Sequence, residues 1–294
     1  MRKLMIFAMI GFFAQLIDGA LGMAYGVTSA SLLLTFGIAP AAASASIHFA
    51  EVVTTAASGV SHMKFGNVDR SALYKLIIPG SVGAFTGACF LSSLSGDVVK
   101  PFISLFLFIL GIYILFRFLF KFHPSSQKKS IDLTRKQSIA LGLAAGFADA
   151  TGGGGWGPIA TPVLLSKKGA SVRKTVGTVD TSEFAIAVSA TAGFLISLGW
   201  EEVNWTWTIA LMLGGIVAAP IAAWLVRILP AYLLGVLVGG FIIVTNVRTL
   251  ILFCSITALW SAAIYATLLI GWGVSIFYAV RRHRKNKNKS LLDK

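Results

Sequence analysis

Apolar runs of close to twenty residues recur along this chain from Leu4 to Val280, separated only by short polar stretches. A run of that length crosses the hydrocarbon layer of a bilayer as a helix. In oil the backbone N–H and C=O groups must find partners inside the protein, which leaves helices as the economical solution for such segments. The sequence is therefore read as an all-α polytopic membrane protein. Composition agrees, since 56% of the 294 residues are hydrophobic, 12% are charged and the mean hydropathy is +0.82, with soluble domains carrying about twice that charged share. The first run, Leu4 to Ile17, is kept as mature protein, because a small-residue cleavage site would fall in a Gly-rich stretch that recurs later in the chain.

The formal charge of +14 would suggest nucleic acid in a soluble protein. Here the Lys and Arg residues lie in loops and tails, so no nucleic-acid partner is expected. Arg281, Arg282, Arg284, Lys285, Lys287 and Lys289 follow directly on the last apolar run. Such a cluster is a cytoplasmic membrane flank, with anionic lipid headgroups as its partner. Cys89 and Cys254 sit in apolar segments with no Cys or His at ligand spacing, so neither a disulfide nor a metal site is expected. No nucleophile elbow or phosphate loop is present in the sequence. The expectation is a protein without cofactor or enzymatic chemistry, and any transport would run on gradients.

The chain repeats itself. Asp18, Gly22, Tyr25 and Gly26 stand opposite Asp149, Gly153, Trp156 and Gly157 at one offset of 131 residues; Gly37 and Glu51 stand opposite Gly169 and Glu183 one residue further on. Gly80 with Gly215, Pro101 with Pro230 and Gly111 with Gly240 continue the series in order. Each half reads as a first element broken by glycine, re-entrant or discontinuous, followed by three transmembrane helices. The spans are 4–36 (broken near 19–26), 40–62, 73–95 and 101–121, then 137–166 (broken near 150–158), 173–199, 205–228 and 230–248. The organisation is thus a first transmembrane repeat over 1–121, a linker over 122–136, a second repeat over 137–249, an additional helix over 250–280 and a basic tail over 281–294.

Loop charge sets the topology. Lys64, Arg70 and Lys75, the linker, the group Lys167, Lys168, Arg173 and Lys174, and the tail can all be cytoplasmic only if each broken element enters and leaves on one side. Each half then crosses an odd number of times, so the two repeats have inverted topology. Gly37 to Pro40 and the pair Glu201 and Glu202 face outward, the C-terminus is cytoplasmic and the N-terminus extracellular, at the cost of placing Arg2 and Lys3 outside.

Inverted repeats with glycine-broken helices point to a transporter site near the membrane middle. The breaks run from Asp18 to Gly26 and from Asp149 to Pro158, the second with four consecutive glycines, Gly152 to Gly155. They either line a ligand, offering backbone N–H groups that favour an anion, or allow tight helix contact. Of eleven carboxylates, Asp18, Glu51, Asp149, Asp180 and Glu183 fall within apolar segments, where an ionised acid costs about 2.5–3.5 kcal/mol. Glu51 and Glu183 are candidates for proton coupling, or else they hydrogen-bond the broken backbones. Asp18 and Asp149 can cap the following half-helices or meet substrate. His48 and Asp180 occupy the same repeat position one turn before these glutamates, placing each pair on one face. His48 is either a relay or a packing residue. Ser46 and Thr178 offer hydroxyls to a solute or bond back to their helix, and Tyr25 and Trp156 wall a pocket or simply pack.

Ile17-Asp18-Gly19-Ala20-Leu21-Gly22-Met23-Ala24-Tyr25-Gly26, with the Gly-rich stretch ending Trp156-Gly157-Pro158, resembles the TauE/SafE family of sulfite exporters and related anion permeases. The likeness covers about Gly11 to Arg248. It implies a multi-pass protein of the bacterial plasma membrane that exports sulfite or small organosulfur anions such as sulfoacetate. It also implies that Gly19, Gly22, Gly26, Gly153, Gly154 and Gly157 are loop positions at the site, with Ser46 and Thr178 on adjacent helices. No Arg or Lys lies within either break, so a small anionic substrate would rely on backbone N–H groups and hydroxyls. A channel, with glycine-lined loops as a filter, and a membrane accessory protein with structural acids are the alternatives.

Overall fold

A computed structural model describes residues 2–21, 23–121, 131–167, 170, 172–201, 203–225 and 231–292. Among them the chain forms eleven α-helices: α1 (Arg2–Leu21), α2 (Tyr25–Thr35), α3 (Pro40–Lys64), α4 (Arg70–Ser92), α5 (Gly96–Phe116), α6 (Arg135–Gly152), α7 (Trp156–Leu165), α8 (Val172–Leu198), α9 (Trp205–Leu225), α10 (Ala231–Phe253) and α11 (Ala258–Leu292). A π-helical turn, Arg117–Lys121, prolongs α5. Among the described residues, five helices are long and apolar enough to cross a membrane: Arg70–Ser92, Gly96–Phe120, Lys174–Leu198, Tyr232–Phe253 and Ala258–Arg282. Their outward faces are oily, with Ile78, Phe102, Ile196 and Ile270 all at least 65% exposed. Apolar exposure on that scale suits lipid rather than water as the neighbour.

Local chemistry sets the helix starts. Asp69 accepts from the N–H groups of Ser71 and Ala72, capping α4 three residues ahead of the expected start at 73. Thr134 and Gln137 form a reciprocal capping box on α6. The end of the expected linker is therefore folded: Ile131 donates to the Asp69 carboxylate, the Leu133 carbonyl accepts from Lys75, and α6 begins at Arg135.

Helices from the two halves pack on one another reciprocally. Helix α1 lies against α9, and α6 lies against α4. Both contacts are backbone-close at glycine, as small residues permit in membrane bundles. A Cβ at Gly11 would strike the Leu211 carbonyl and one at Gly214 the Ala8 carbonyl; across the other pair, one at Gly146 would strike the Gly80 carbonyl. Helix α3 packs on α8, and α5 on α10. Buried Ile47, Val179 and Ile186, with Leu107 on α5 and Ile242 on α10, belong to one continuous core.

Three expectations need correction. The breaks are shorter than 19–26 and 150–158, because α1 runs to Leu21, α2 starts at Tyr25, α6 runs to Gly152 and α7 starts at Trp156. Gly19, Gly26 and Gly157 are therefore helical rather than loop positions; glycine costs a helix only about 1 kcal/mol relative to alanine. Gly22 lies outside the described residues. Finally, α10 continues to Phe253, and α11 begins at Ala258 and runs on to Leu292. Much of the basic stretch 281–294 is helical, as its Lys- and Arg-rich sequence permits.

Candidate functional site

The two glycine breaks meet. A Cβ at Gly26, in the first turn of α2, would lie 2.6 Å from the Gly153 carbonyl oxygen and 2.6 Å from Gly154 Cα. Reciprocally, one at Gly154 would strike the backbone of Gly26 and Val27. Gly153 and Gly154 have φ of +69° and +156°, conformations open to glycine and disfavoured for other residues. The second break thus owes its course to glycine, and both breaks to the absence of side chains where they cross.

Each following half-helix is capped by an aspartate of the preceding one. Asp149 Oδ1 accepts from the N–H groups of Gly155 (2.7 Å) and Trp156 (2.8 Å). Asp18 Oδ1 accepts from Tyr25 N–H at 3.2 Å. Since Asp18 and Asp149 are repeat mates, as are Tyr25 and Trp156, the same device occurs twice. These three N–H groups are taken by the protein's own carboxylates, which already offset the positive ends of α2 and α7. A solute anion would have to use other donors.

The remaining oxygen of Asp149 faces α3. His48 Nε2 lies 3.1 Å from Asp149 Oδ2 and 3.9 Å from Glu51 Oε2. The other ring nitrogen, Nδ1, sits 2.8 Å from the Ser44 carbonyl, and Ser44 Oγ donates to the Ala150 carbonyl at 2.6 Å. His48 is fully buried and Glu51 is 1% exposed. Neither Glu51 carboxylate oxygen has a hydrogen-bond partner among the described residues. A Cβ on Gly26 would come within 3.1 Å of Glu51 Oε1, so this cluster adjoins the crossing of the breaks.

On α8, Asp180 Oδ2 accepts from Ser58 Oγ at 2.6 Å and lies 3.7 Å from His62 Nε2. Asp18 lies within direct charge interaction of Asp180. Glu183 is near enough to the other four acids for like charge to be felt between them. The five apolar-segment carboxylates are thereby gathered into one region, and each is nine-tenths or more buried.

Trp156 is fully buried, donates from its indole to the Val179 carbonyl and Ser182 Oγ, and lies against Gly80. Its repeat mate Tyr25 lies in the same way beside Gly215, and its hydroxyl has no partner among the described residues. The offset that matches Glu51 with Glu183 places Ala50 opposite Ser182, so the mate's hydroxyl partner is missing. Thr178 Oγ1 accepts from Asp69 N–H at 2.8 Å, which ties α8 to the start of α4. Ser46 is buried with its hydroxyl unpaired among the described residues. Ser44, Ser58 and His62 escaped the sequence reading. Ser44 carried one signal: it stands four residues before His48, on the same helix face.

Apolar helices with two of them broken, the breaks crossing at glycine and the carboxylates collected there, define a multi-pass membrane protein of the transporter class. The comparisons make the assignment specific. Residues 7–249 match the model of the sulfite exporter TauE/SafE family, and the chain belongs to that family. It is 64% identical over 300 residues to the probable membrane transporter protein YtnM of Bacillus subtilis (strain 168), covering 98% of this chain and all of that one. It is 27% identical over 234 residues to the probable membrane transporter protein YdhB of the same organism, covering 78% of this chain and 93% of that one. No solved structure matches.

Proposed function

We propose that the chain is a gradient-driven permease of the bacterial plasma membrane that exports sulfite or a small organosulfur anion such as sulfoacetate. Its two inverted halves would rock about the crossing of their broken helices, exposing it first to one side and then to the other. The observation that carries this reading is the contact of Gly26 with Gly153 and Gly154. Two interruptions from distant parts of the chain meet inside the protein, where no lipid needs to be accommodated. The family match supplies the substrate class.

A cavity of about 440 Å³, lined by Phe7, Phe36, Gly37, Asn204 and Trp207 among others, opens beside the α2–α3 turn. In the inverted topology that turn faces outward, and the cavity serves as the outer vestibule. The closed crossing beneath it is then the barrier that moves. Proton coupling falls to Glu183 on this reading, because it is 8% exposed, against 1% for its repeat mate Glu51.

Purified protein in liposomes tests the proposal. A panel of sulfite, thiosulfate, sulfoacetate and chloride at two pH values should give saturable sulfite or sulfoacetate uptake with counterflow. Non-saturating flux would instead mean a channel. Absence of flux for every solute would mean an accessory protein.

A further inference from the structure

We infer that His48, Glu51 and Asp149 form a binding site for one divalent transition-metal cation, bridging α3 of the first half to the broken helix of the second. One ligand atom from each residue lies within 4.8 Å of the others, and all three residues are buried.

Hydrogen bonding fixes the chemistry of the imidazole. Nδ1 faces the Ser44 carbonyl at 2.8 Å, and a carbonyl only accepts, so Nδ1 carries the hydrogen. The neutral ring then presents a lone pair at Nε2. That lone pair points at Asp149 Oδ2, 3.1 Å away, with Glu51 Oε2 at 3.9 Å. Three acceptors converge on one point, and a positive centre between them satisfies all three at once.

A proton on Nε2 serves Asp149 alone. It leaves both oxygens of the buried Glu51 without a donor. With both carboxylates ionised, an imidazolium facing them also leaves a net negative charge in a medium that penalises it. A divalent cation, a neutral imidazole and two carboxylates sum to zero, and the cation gives Glu51 a partner. Metal–ligand bonds of about 2.0–2.2 Å place neighbouring ligand atoms at separations that include the 3.1 and 3.9 Å seen here.

The surroundings are those of a metal centre. Ligating histidines characteristically donate their other N–H to a carbonyl or carboxylate, which fixes ring and tautomer; the Ser44 carbonyl does this for His48. Asp149 is oriented through its second oxygen by the N–H groups of Gly155 and Trp156. One imidazole nitrogen with two carboxylates suits zinc, manganese or cobalt better than magnesium or calcium, which favour oxygen throughout. Ligand spacing along the chain did not reveal the site because His48 and Asp149 are 101 residues apart.

Zinc titrated calorimetrically into the full chain, purified in detergent and stripped with chelator, tests this independently of any transport assay. One zinc per chain is expected, with a raised unfolding temperature. Glu51→Gln and His48→Gln should weaken binding by about 100-fold, whereas Ser44→Ala, which keeps all three ligands and the backbone carbonyl that fixes the ring, should bind like the parent protein. His62→Ala, beside Asp180, should bind like the parent protein. Cobalt in place of zinc should give a visible absorption band that Glu51→Gln shifts or abolishes. The inference is overturned if the parent protein shows no saturable one-to-one zinc binding. Equal binding by Glu51→Gln and His48→Gln, or loss confined to His62→Ala, overturns it too.

Discussion

Gly26, in the first helical turn after the first break, and Gly154 of the second break touch backbone to backbone, so that a Cβ on Gly154 would overlap Gly26 and Val27. A methyl at either position has nowhere to go. Gly26→Ala and Gly154→Ala should each destabilise the fold by about 1–3 kcal/mol through overpacking. Gly154→Ala should cost more, because φ of +156° is strained for alanine. Thermal unfolding in detergent, paired with liposome flux, measures both consequences. Unchanged stability together with full flux would mean that the crossing is looser than described.

The two capping aspartates should differ in weight. Asp18 accepts one backbone N–H, whereas Asp149 accepts two and also faces His48. Loss of a cap costs about 0.5–2 kcal/mol, and a buried polar group left without its partner adds about 1–3 kcal/mol. Asp149→Ala should therefore lower the unfolding temperature well beyond Asp18→Ala. The comparison is made with chelator present, so that no bound cation contributes. Equal losses would show that neither the second accepted N–H nor the His48 contact contributes.

The sequence revealed the breaks and the five acids because glycine and carboxylate are conspicuous in oil. It also placed the crossing elements in repeat register, since glycine on one helix calls for a close backbone on another. Three features lay beyond it. The pairing of His48 with Asp149 depends on how α3 packs against the α6–α7 break, which no local pattern encodes. The breaks look wider in the sequence than they are, because Gly26 and Gly157 read as loop residues, yet a first helical turn accepts glycine where a backbone presses close. Hydropathy alone ends α11 near 280, whereas helix propensity in the Lys- and Arg-rich stretch carries the backbone to Leu292.

Proton coupling through Glu183 gives its own signature. In liposomes with an imposed pH gradient, the parent protein should accumulate substrate. Glu183→Gln keeps the shape of the side chain and removes its titration, so solute exchange should persist while the gradient loses its effect. A Gln variant that keeps full pH dependence would sink the coupling role.

Glycine on α6 and glycine on α11 should respond oppositely. A Cβ at Gly146 would strike the Gly80 carbonyl across the α4–α6 contact, whereas one at Gly271 meets nothing within 4 Å. Gly146→Val should thus abolish folded protein in size-exclusion profiles. Gly271→Ala should be neutral or stabilising by up to about 1 kcal/mol, from helix propensity alone. A well-behaved Gly146→Val protein would show that α4 and α6 can separate.

Inversion of the halves is decided by the turns that follow the two broken elements. Ala39 precedes α3 and Ser166 follows α7, and both are exposed, so a cysteine at either position meets reagent without disturbing the core. If the halves have the same orientation, the two positions label from the same side. Inversion places Ala39 outside and Ser166 inside. The reciprocal contacts, α1 on α9 as α6 on α4, fit a two-fold relation of the halves, which an axis in the membrane plane and an axis along its normal would produce alike. With Cys89 and Cys254 replaced, an impermeant maleimide added to intact cells should label Ala39→Cys, and Ser166→Cys only after the membrane is opened. Labelling of both from outside would remove the inverted repeat, and with it the alternating exposure of the crossing.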